Sequence, residues 1–337
     1  MSDDRILLSH GAGGKKSSEL TERIFLNYFN DPALIELNDM AVLDLPNGRV
    51  SMSTDTYVVD PIFFPGGDIG SLAVHGTVND VAMAGAVPFA VTAAFILEEG
   101  LPLDDLDRIA GSMARAAAEA GVRIVTADTK VVPRGAADKL FINTTGIGII
   151  PDGVQISGKS AREGDQILLS GTIGDHGIAI ASSREGIEFK TTVKSDSAPL
   201  NGMISELVKT LGQDIHVLRD PTRGGLATVL CEIASQSSVG VEVKETSIPV
   251  RDAVKGACEL LGYDPLYLAN EGKLVAVVSQ SASERALEIM KGSKYGKDAC
   301  LIGEITGENK GKVILKTAMG GSRLVDKLSG EMLPRIC

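Results

Sequence analysis

The spacing of hydrophobic and polar positions divides the chain into alternating helical and strand periods. A helical pattern runs near residues 17–29. Residues 50–59 alternate in the β-rich manner of a half-buried strand, with Asp55 near its end. Asp68 is placed to cap a long helix running through Leu72, Val78, Val81 and Met83 to Gly85. A strand at 89–97, an alanine-rich helix at 103–120, a strand at 121–130 and a β-rich run at 141–150 complete a first α/β unit. Pro151-Asp152-Gly153 marks a turn, and a second unit begins near residue 155. It reads as a strand at 165–171, a helix opened by Gly174-Asp175-His176-Gly177, a helix at 226–235, a strand at 274–278, a helix at 281–291 and strands near 300–305 and 312–316. The expected organisation is an α/β (α+β) chain with domains at 1–154 and 155–325 and a tail at 326–337.

Composition narrows the class of protein. A length of 337 residues suits about two domains. With 44% hydrophobic and 23% charged residues, each domain has enough apolar material for a packed core. The net charge of −11, without any Lys/Arg-rich run, argues against nucleic acid and anionic membrane as main partners. Cys231, Cys258, Cys300 and Cys337 are far apart with no CxxC pair, so a disulfide framework and a zinc site are not expected. The acidic opening and the lack of a long apolar run predict neither a signal peptide nor a membrane span, and the expected compartment is the cytoplasm.

Four stretches carry candidate chemistry. His10-Gly11-Ala12-Gly13-Gly14-Lys15 lacks the spacing of a P-loop, but its small residues suit either a flap over phosphates or a flexible arm. Asn79-Asp80 is a polar pair inside a small, apolar helix, a setting that points to a ligand. Asp55, Asp80 and Asp128 come from three separate elements. Each alone fits a cap or turn; brought together they suit Mg²⁺, which takes one or two carboxylates plus nucleotide phosphates. Arg219-Asp220-Pro221-Thr222-Arg223-Gly224-Gly225 suits a phosphate or a domain joint, and His176 fits either a catalytic or a structural role at a helix start.

The chain ends on Pro334-Arg335-Ile336-Cys337, a thiol at the end of a tether. Pro334 cannot continue a helix, so the tail is expected to leave the folded body rather than pack on it. From Lys327 an extended chain reaches roughly 33 Å at about 3.3 Å per residue. Either the thiol carries a covalently bound group or the cysteine is incidental to a frayed end. Prenylation is not expected, since its box needs three residues after the cysteine.

Together, Ser53-Thr54-Asp55, the run from Val78-Asn79-Asp80 to Ala86, Ala127-Asp128-Thr129-Lys130 and Asp220-Pro221-Thr222-Arg223-Gly224-Gly225 resemble the aminoimidazole ribonucleotide synthetase superfamily of ATP-dependent enzymes. Leu8-Ser9-His10-Gly11-Ala12-Gly13-Gly14 and the terminal cysteine make the chain similar to its hydrogenase-maturation carbamoyl dehydratases. The resemblance implies two α/β domains, N-terminal domains pairing into a β-barrel across a homodimer, and ATP with Mg²⁺ near that interface. It implies that the carbamoyltransferase HypF loads a carbamoyl group onto Cys337. The chain then uses ATP to dehydrate it to an S-cyanide, and the cyanide passes to the HypC–HypD complex, where it becomes a ligand of the iron in [NiFe] hydrogenase. Asp55, Asp80 and Asp128 would bind metal or phosphate, with Asn79, Asn143, His10, Gly13 and Gly14 supporting the nucleotide. Glu271 would accept a proton and Lys130 would orient the activated carboxamide. A small-molecule kinase or synthetase of the superfamily, and a non-catalytic scaffold, are the competing expectations.

Overall fold

The computed structural model describes residues 4–37, 40–184, 192–327, 333 and 335–337. Pro334 and residues 328–332, half of the expected tail, fall outside them. The N-terminal segment holds three short helices, α1 (Lys15–Leu20), α2 (Leu26–Tyr28) and α3 (Pro32–Ile35), and leads to β1 (Arg49–Tyr57). A two-strand hairpin, β2 (Phe63–Phe64) with β3 (Gly67–Asp68), precedes α4 (Ile69–Ala82). Next come β4 (Val87–Glu98), α5 (Leu103–Ala120), β5 (Arg123–Val132) and β6 (Leu140–Ile150). The four long strands form one sheet in the order β1-β6-β4-β5, leaving β1 and β5 as its edges.

Asp68 caps α4 as its position predicts: Oδ1 accepts the Gly70 and Ser71 amide hydrogens at 2.9 and 3.0 Å. Such a cap is worth about 1 kcal/mol. The helix is buried on almost every side, including Ile69, Leu72, Val74, Val78 and Val81. Each fully buried aliphatic side chain contributes about 1.5–3 kcal/mol. A helix apolar all round must be covered all round, and this one lies between the β1/β6 side of the sheet, α5 and the second half of the chain. Gly70 permits the close approach of α5, because a Cβ there would meet the Ile109 carbonyl at 2.6 Å.

The second half contains β7 (Gln166–Leu169), α6 (Asp175–Ala181), α7 (Asn201–Leu211), β8 (Ile215–Arg219), α8 (Gly225–Ser237), β9 (Gly240–Lys244), α9 (Asp252–Leu261), β10 (Val275–Val278), α10 (Ser283–Gly292), β11 (Cys300–Thr306), β12 (Val313–Lys316) and β13 (Ser322–Val325). Its seven-stranded sheet runs β13-β12-β9-β11-β7-β10-β8. The pattern reading did not find α7, β8, β9, α9 or β13. The strands among these are short, and pairing with distant neighbours, not local alternation, defines them.

Arg335, Ile336 and Cys337 do not leave the body, and the expectation from Pro334 is corrected for these residues. Ile336 pairs antiparallel with Val59 and is 4% exposed. The Val58 amide donates to Cys337 O at 2.8 Å and the Asp60 amide to Arg335 O at 3.2 Å. The chain end thus adds a short strand beside the continuation of β1, with a buried isoleucine as its anchor.

Candidate active site

The docked end carries the thiol into a cluster of acids between the two halves. Burial pushes the Cys337 thiol up to about 12, reinforced by Glu271 and Asp55 and opposed by Arg223. Glu271 is 3% exposed, and its Oε1 has no hydrogen-bond partner. Burial first, then Asp220, Asp196, Asp55 and Asp80, raise its carboxyl well above the usual range, which favours the protonated form. Asp80 is raised by burial, although Ser53 donates to its Oδ2 at 2.8 Å. Asp220 has a buried, unpartnered Oδ2 and is pushed up to about 7, by burial and then by Asp80.

The predicted site residues divide between two places. Asp55 stands opposite Thr144, whose hydroxyl donates to Ala73 O of α4 at 3.0 Å, so Asp55 faces the helix side with Ser53 and Asp80. Asn143, next along β6, faces the opposite, open side and donates to Thr56 Oγ1 at 3.0 Å. Asp128 shares a row with Asn143 through Ala94, and Lys130 follows two residues on. Lys130 Nζ binds Asp128 at 2.7 and 2.8 Å, and this contact holds the Asp128 carboxyl below its usual range. Three strand spacings of about 4.8 Å put ~14 Å between the sheet edges. The grouping of Asp55, Asp80 and Asp128 is therefore corrected: within one chain Asp128 lies at the far edge and on the other face. That triad does not fit a metal, and among the described residues no three His, Cys, Asp or Glu side chains are placed to hold one.

Asn79 is also corrected. Its Nδ2 donates to Ala198 O at 3.0 Å and to Glu271 O at 3.5 Å, while its Oδ1 accepts the Leu200 amide at 2.8 Å. These bonds engage the amide in joining α4 to the second half beside Glu271. A buried polar group in an apolar helix must be satisfied, and here backbone satisfies it. His10 and Gly13 line a cavity of 310 Å³ with Asp128 and Lys130, and Gly14 caps α1. His10 Nδ1 accepts the Leu7 amide at 3.0 Å.

Several residues of the site had no local signal. Asp196 accepts the Glu271 amide at 3.1 Å and the buried Lys273 ammonium at 2.9 Å. Burial opposes ionisation of Asp196, but Lys273 prevails and keeps its carboxyl below the usual range. Nothing in the sequence links positions 77 residues apart. Asp220 sat in a recognised motif, read there for its arginines. Of those, Arg219 is tied to Glu232, and the charge of Arg223 favours ionisation of Cys337.

A buried carboxylate whose folded pKa is raised contributes stability below its unfolded pKa that is lost as pH rises through the folded one. For Asp220 the window runs from the ordinary aspartate value of 3.8 to about 7. Without nucleotide or metal, Asp220→Asn is expected to raise Tm relative to the native chain at pH 8 but not at pH 4. Calorimetry at both values checks this, and an equal Tm difference at both would contradict it.

Two α/β halves, an acid cluster between them and the chain's own terminal thiol inside that cluster define a two-domain protein of the AIR synthase-related class. The family described as AIR synthase related protein, N-terminal domain, matches residues 37–150, and its C-terminal counterpart matches 162–316. The chain belongs to this family and, within it, to the HypE hydrogenase maturation proteins. It is 52% identical to the carbamoyl dehydratase HypE of Rhizobium leguminosarum bv. viciae, over 100% of this chain and 96% of that protein. With the carbamoyl dehydratase HypE of Azotobacter vinelandii it is 54% identical, over 97% and 96%. A solved HypE in complex with ATP superposes with a TM-score of 0.95 at 55% identity, covering 98% of this chain and 99% of that one. A HypE from a HypE–HypF complex does so at 0.81 and 52%, covering 92% and 99%. A thiamine-monophosphate kinase from Stenotrophomonas maltophilia, 20% identical over 96% of this chain and 93% of that one, shares the fold with a TM-score of 0.65.

Proposed function

We propose that this chain is an ATP-dependent carbamoyl dehydratase that converts an S-carbamoyl group on its own Cys337 to an S-cyanide for the iron of [NiFe] hydrogenase. The observation that carries the reading is the placement of Cys337 beside Glu271 and Asp55 by a docked chain end. Whole-length identity of 52–54% to carbamoyl dehydratases supports the activity. The ATP complex supports the nucleotide, and the HypE–HypF complex supports HypF as donor partner. HypC–HypD is the proposed acceptor. The domain limits follow the expected 1–154, 155–325 and 326–337, and the proposed compartment is the cytoplasm; among the described residues no helix is long and apolar enough to cross a membrane.

In the reaction the carboxamide oxygen leaves with the phosphoryl group of ATP, both N–H protons depart, and a carbon–nitrogen triple bond remains. In this reading Glu271, once ionised, takes a proton, Arg223 counters negative charge at Cys337, and Asp55 and Asp80 would meet the nucleotide's phosphates through a cation. Magnesium suits two carboxylates together with phosphates, and would enter with the nucleotide in place of the corrected triad. Because the docked thiol is held neutral, nucleophilic acceptance of the carbamoyl group belongs to the undocked tail, where a free cysteine ionises at about 8.5.

The homodimer supplies what one chain separates. Both sheet edges, β1 and β5, are open, and Val50, Met52, Val87 and Ile96 are exposed. Closing two such sheets into a barrel removes the edges and brings the Asp128–Lys130 edge of one copy to the acid cluster of another. His10 and Gly13 would then flank the nucleotide.

The test is intact-protein mass spectrometry after incubation with the carbamoyl-donor enzyme and its substrates, then with MgATP. One carbamoyl group gained on the C-terminal peptide, then one water lost only with ATP, is the expected result. No adduct with an active donor enzyme would refute the carrier role.

A further inference from the structure

The reaction outlined above makes no use of His176, although both of its ring nitrogens are engaged. The ring is fully buried. Nε2 lies 2.8 Å from the carbonyl oxygen of Ile336, one peptide before Cys337, and Nδ1 lies 2.8 Å from Ser195 Oγ. A carbonyl only accepts, so Nε2 carries the hydrogen and Nδ1 accepts the Ser195 hydroxyl. Burial lowers the pKa of the ring and keeps it neutral, which fits this tautomer; the Ile336 contact and the charge of Asp196 work the other way. Phe64 packs edge-on against the ring at 5.6 Å and fixes its plane.

The partners of Ser195 give the contact a wider role. Its Oγ also accepts the Ser197 amide at 3.1 Å, which sets the turn of the segment. The next residue, Asp196, holds the Glu271 amide and the Lys273 ammonium. Ala198 and Leu200, further along, take both ends of the Asn79 amide. Residues 195–200 therefore reach the docked chain end through His176 and fix the backbone of Glu271 one residue further on.

Resting on the proposed reaction, we infer that His176 is a positioning residue. Bridging the Ile336 carbonyl and Ser195, it sets the depth of the docked chain end relative to the segment that holds Glu271, so the group on Cys337 meets Glu271 in one register. Other tail contacts, to Val58, Asp60, Asp138 and Arg184, grip Arg335 and the terminal carboxylate. His176 holds the Ile336 carbonyl between them.

The experiment compares the full-length native chain with His176→Ala and His176→Gln. Iodoacetamide modification of Cys337 is followed on the C-terminal peptide, with Tm as the check on folding. Leaving a buried carbonyl without its donor shifts docking by about tenfold, so His176→Ala is expected to alkylate about tenfold faster. His176→Gln, which restores an N–H donor, should stay within about twofold of the native rate. On carbamoylated chain, single-turnover dehydration should fall in His176→Ala with the KM for ATP unchanged. An unchanged alkylation rate in a folded His176→Ala would overturn the inference, as would equal acceleration in both variants. If His176→Ala does not fold, Ser195→Ala replaces it, and an unchanged rate there overturns the inference equally. The alkylation comparison needs neither ATP nor a carbamoyl group. A native chain that fails to dehydrate would therefore count against the proposed reaction while alkylation still decides the role of His176.

Discussion

Copies carrying Lys130→Ala, mixed with copies carrying Cys337→Ala, are expected to recover cyanide formation that neither variant shows alone. The reason is geometric. Lys130 projects from an edge strand on the open face of the first sheet, bound to Asp128, whereas Cys337 docks beyond the opposite edge on the helix side. No side-chain motion bridges that separation within one chain. If Lys130 serves the Cys337 of a second copy, a mixed dimer holds one intact site, with Lys130 from the Cys337→Ala copy and the thiol from the other. Random pairing of equal amounts gives about a quarter of native activity in a two-fold dimer. Lys130→Ala alone should lose about 10²–10³-fold, the usual cost of removing a group that stabilises developing charge. Single-turnover assays of the variants and the mixture check this. A mixture as inactive as its components would show that Lys130 acts in its own chain or not at all.

Glu271→Gln is expected to reduce dehydration by about 10²–10⁴-fold, the usual range for a positioned acid–base group. Carbamoylation and ATP binding should persist. In this arrangement burial, with Asp220, Asp196, Asp55 and Asp80, raises the Glu271 carboxyl well above its usual range and favours its protonated form. To act as a base it must lose that proton, and a positive group entering the cluster lowers its pKa. The acidic limb of the pH–rate profile therefore reports Glu271. Activity should rise with pH as the carboxyl ionises, and any variant that removes a neighbouring cation should move that limb to higher pH. The comparison is native chain against Glu271→Gln over pH 5–9, with nucleotide affinity measured in parallel. Full activity in Glu271→Gln, or an unmoved acidic limb, would remove Glu271 from the role of base.

The tail and the acids illustrate how far local pattern reaches. The strand bearing Asp55, the capped helix α4, the helix at 103–120 and the strand ending near Lys130 were legible because their periods arise from contacts with a sheet or core on one side. The terminal thiol was legible as a candidate carrier, with an incidental cysteine as the alternative, and the family motifs favoured the first. Asn79 misled for a physical reason. A polar residue in an apolar helix signals a partner, but sequence does not distinguish a ligand from the backbone of Ala198 and Leu200.

By itself, then, the sequence determined the two α/β units and the family motifs, and offered Asp55, Asp80, Glu271 and Cys337 as candidates. Only the tertiary structure decided which of these meet. It gathered Asp55, Asp80 and Asp220 about Glu271, set the docked thiol in the field of Glu271 and Asp55, sent Asp128, Lys130 and Asn143 to the open face, and gave His176 the tail's last peptide to hold. The division has one cause. Strand alternation assigns each side chain a face, but which faces and edges become neighbours depends on strand order and packing between distant segments, which local periodicity does not encode.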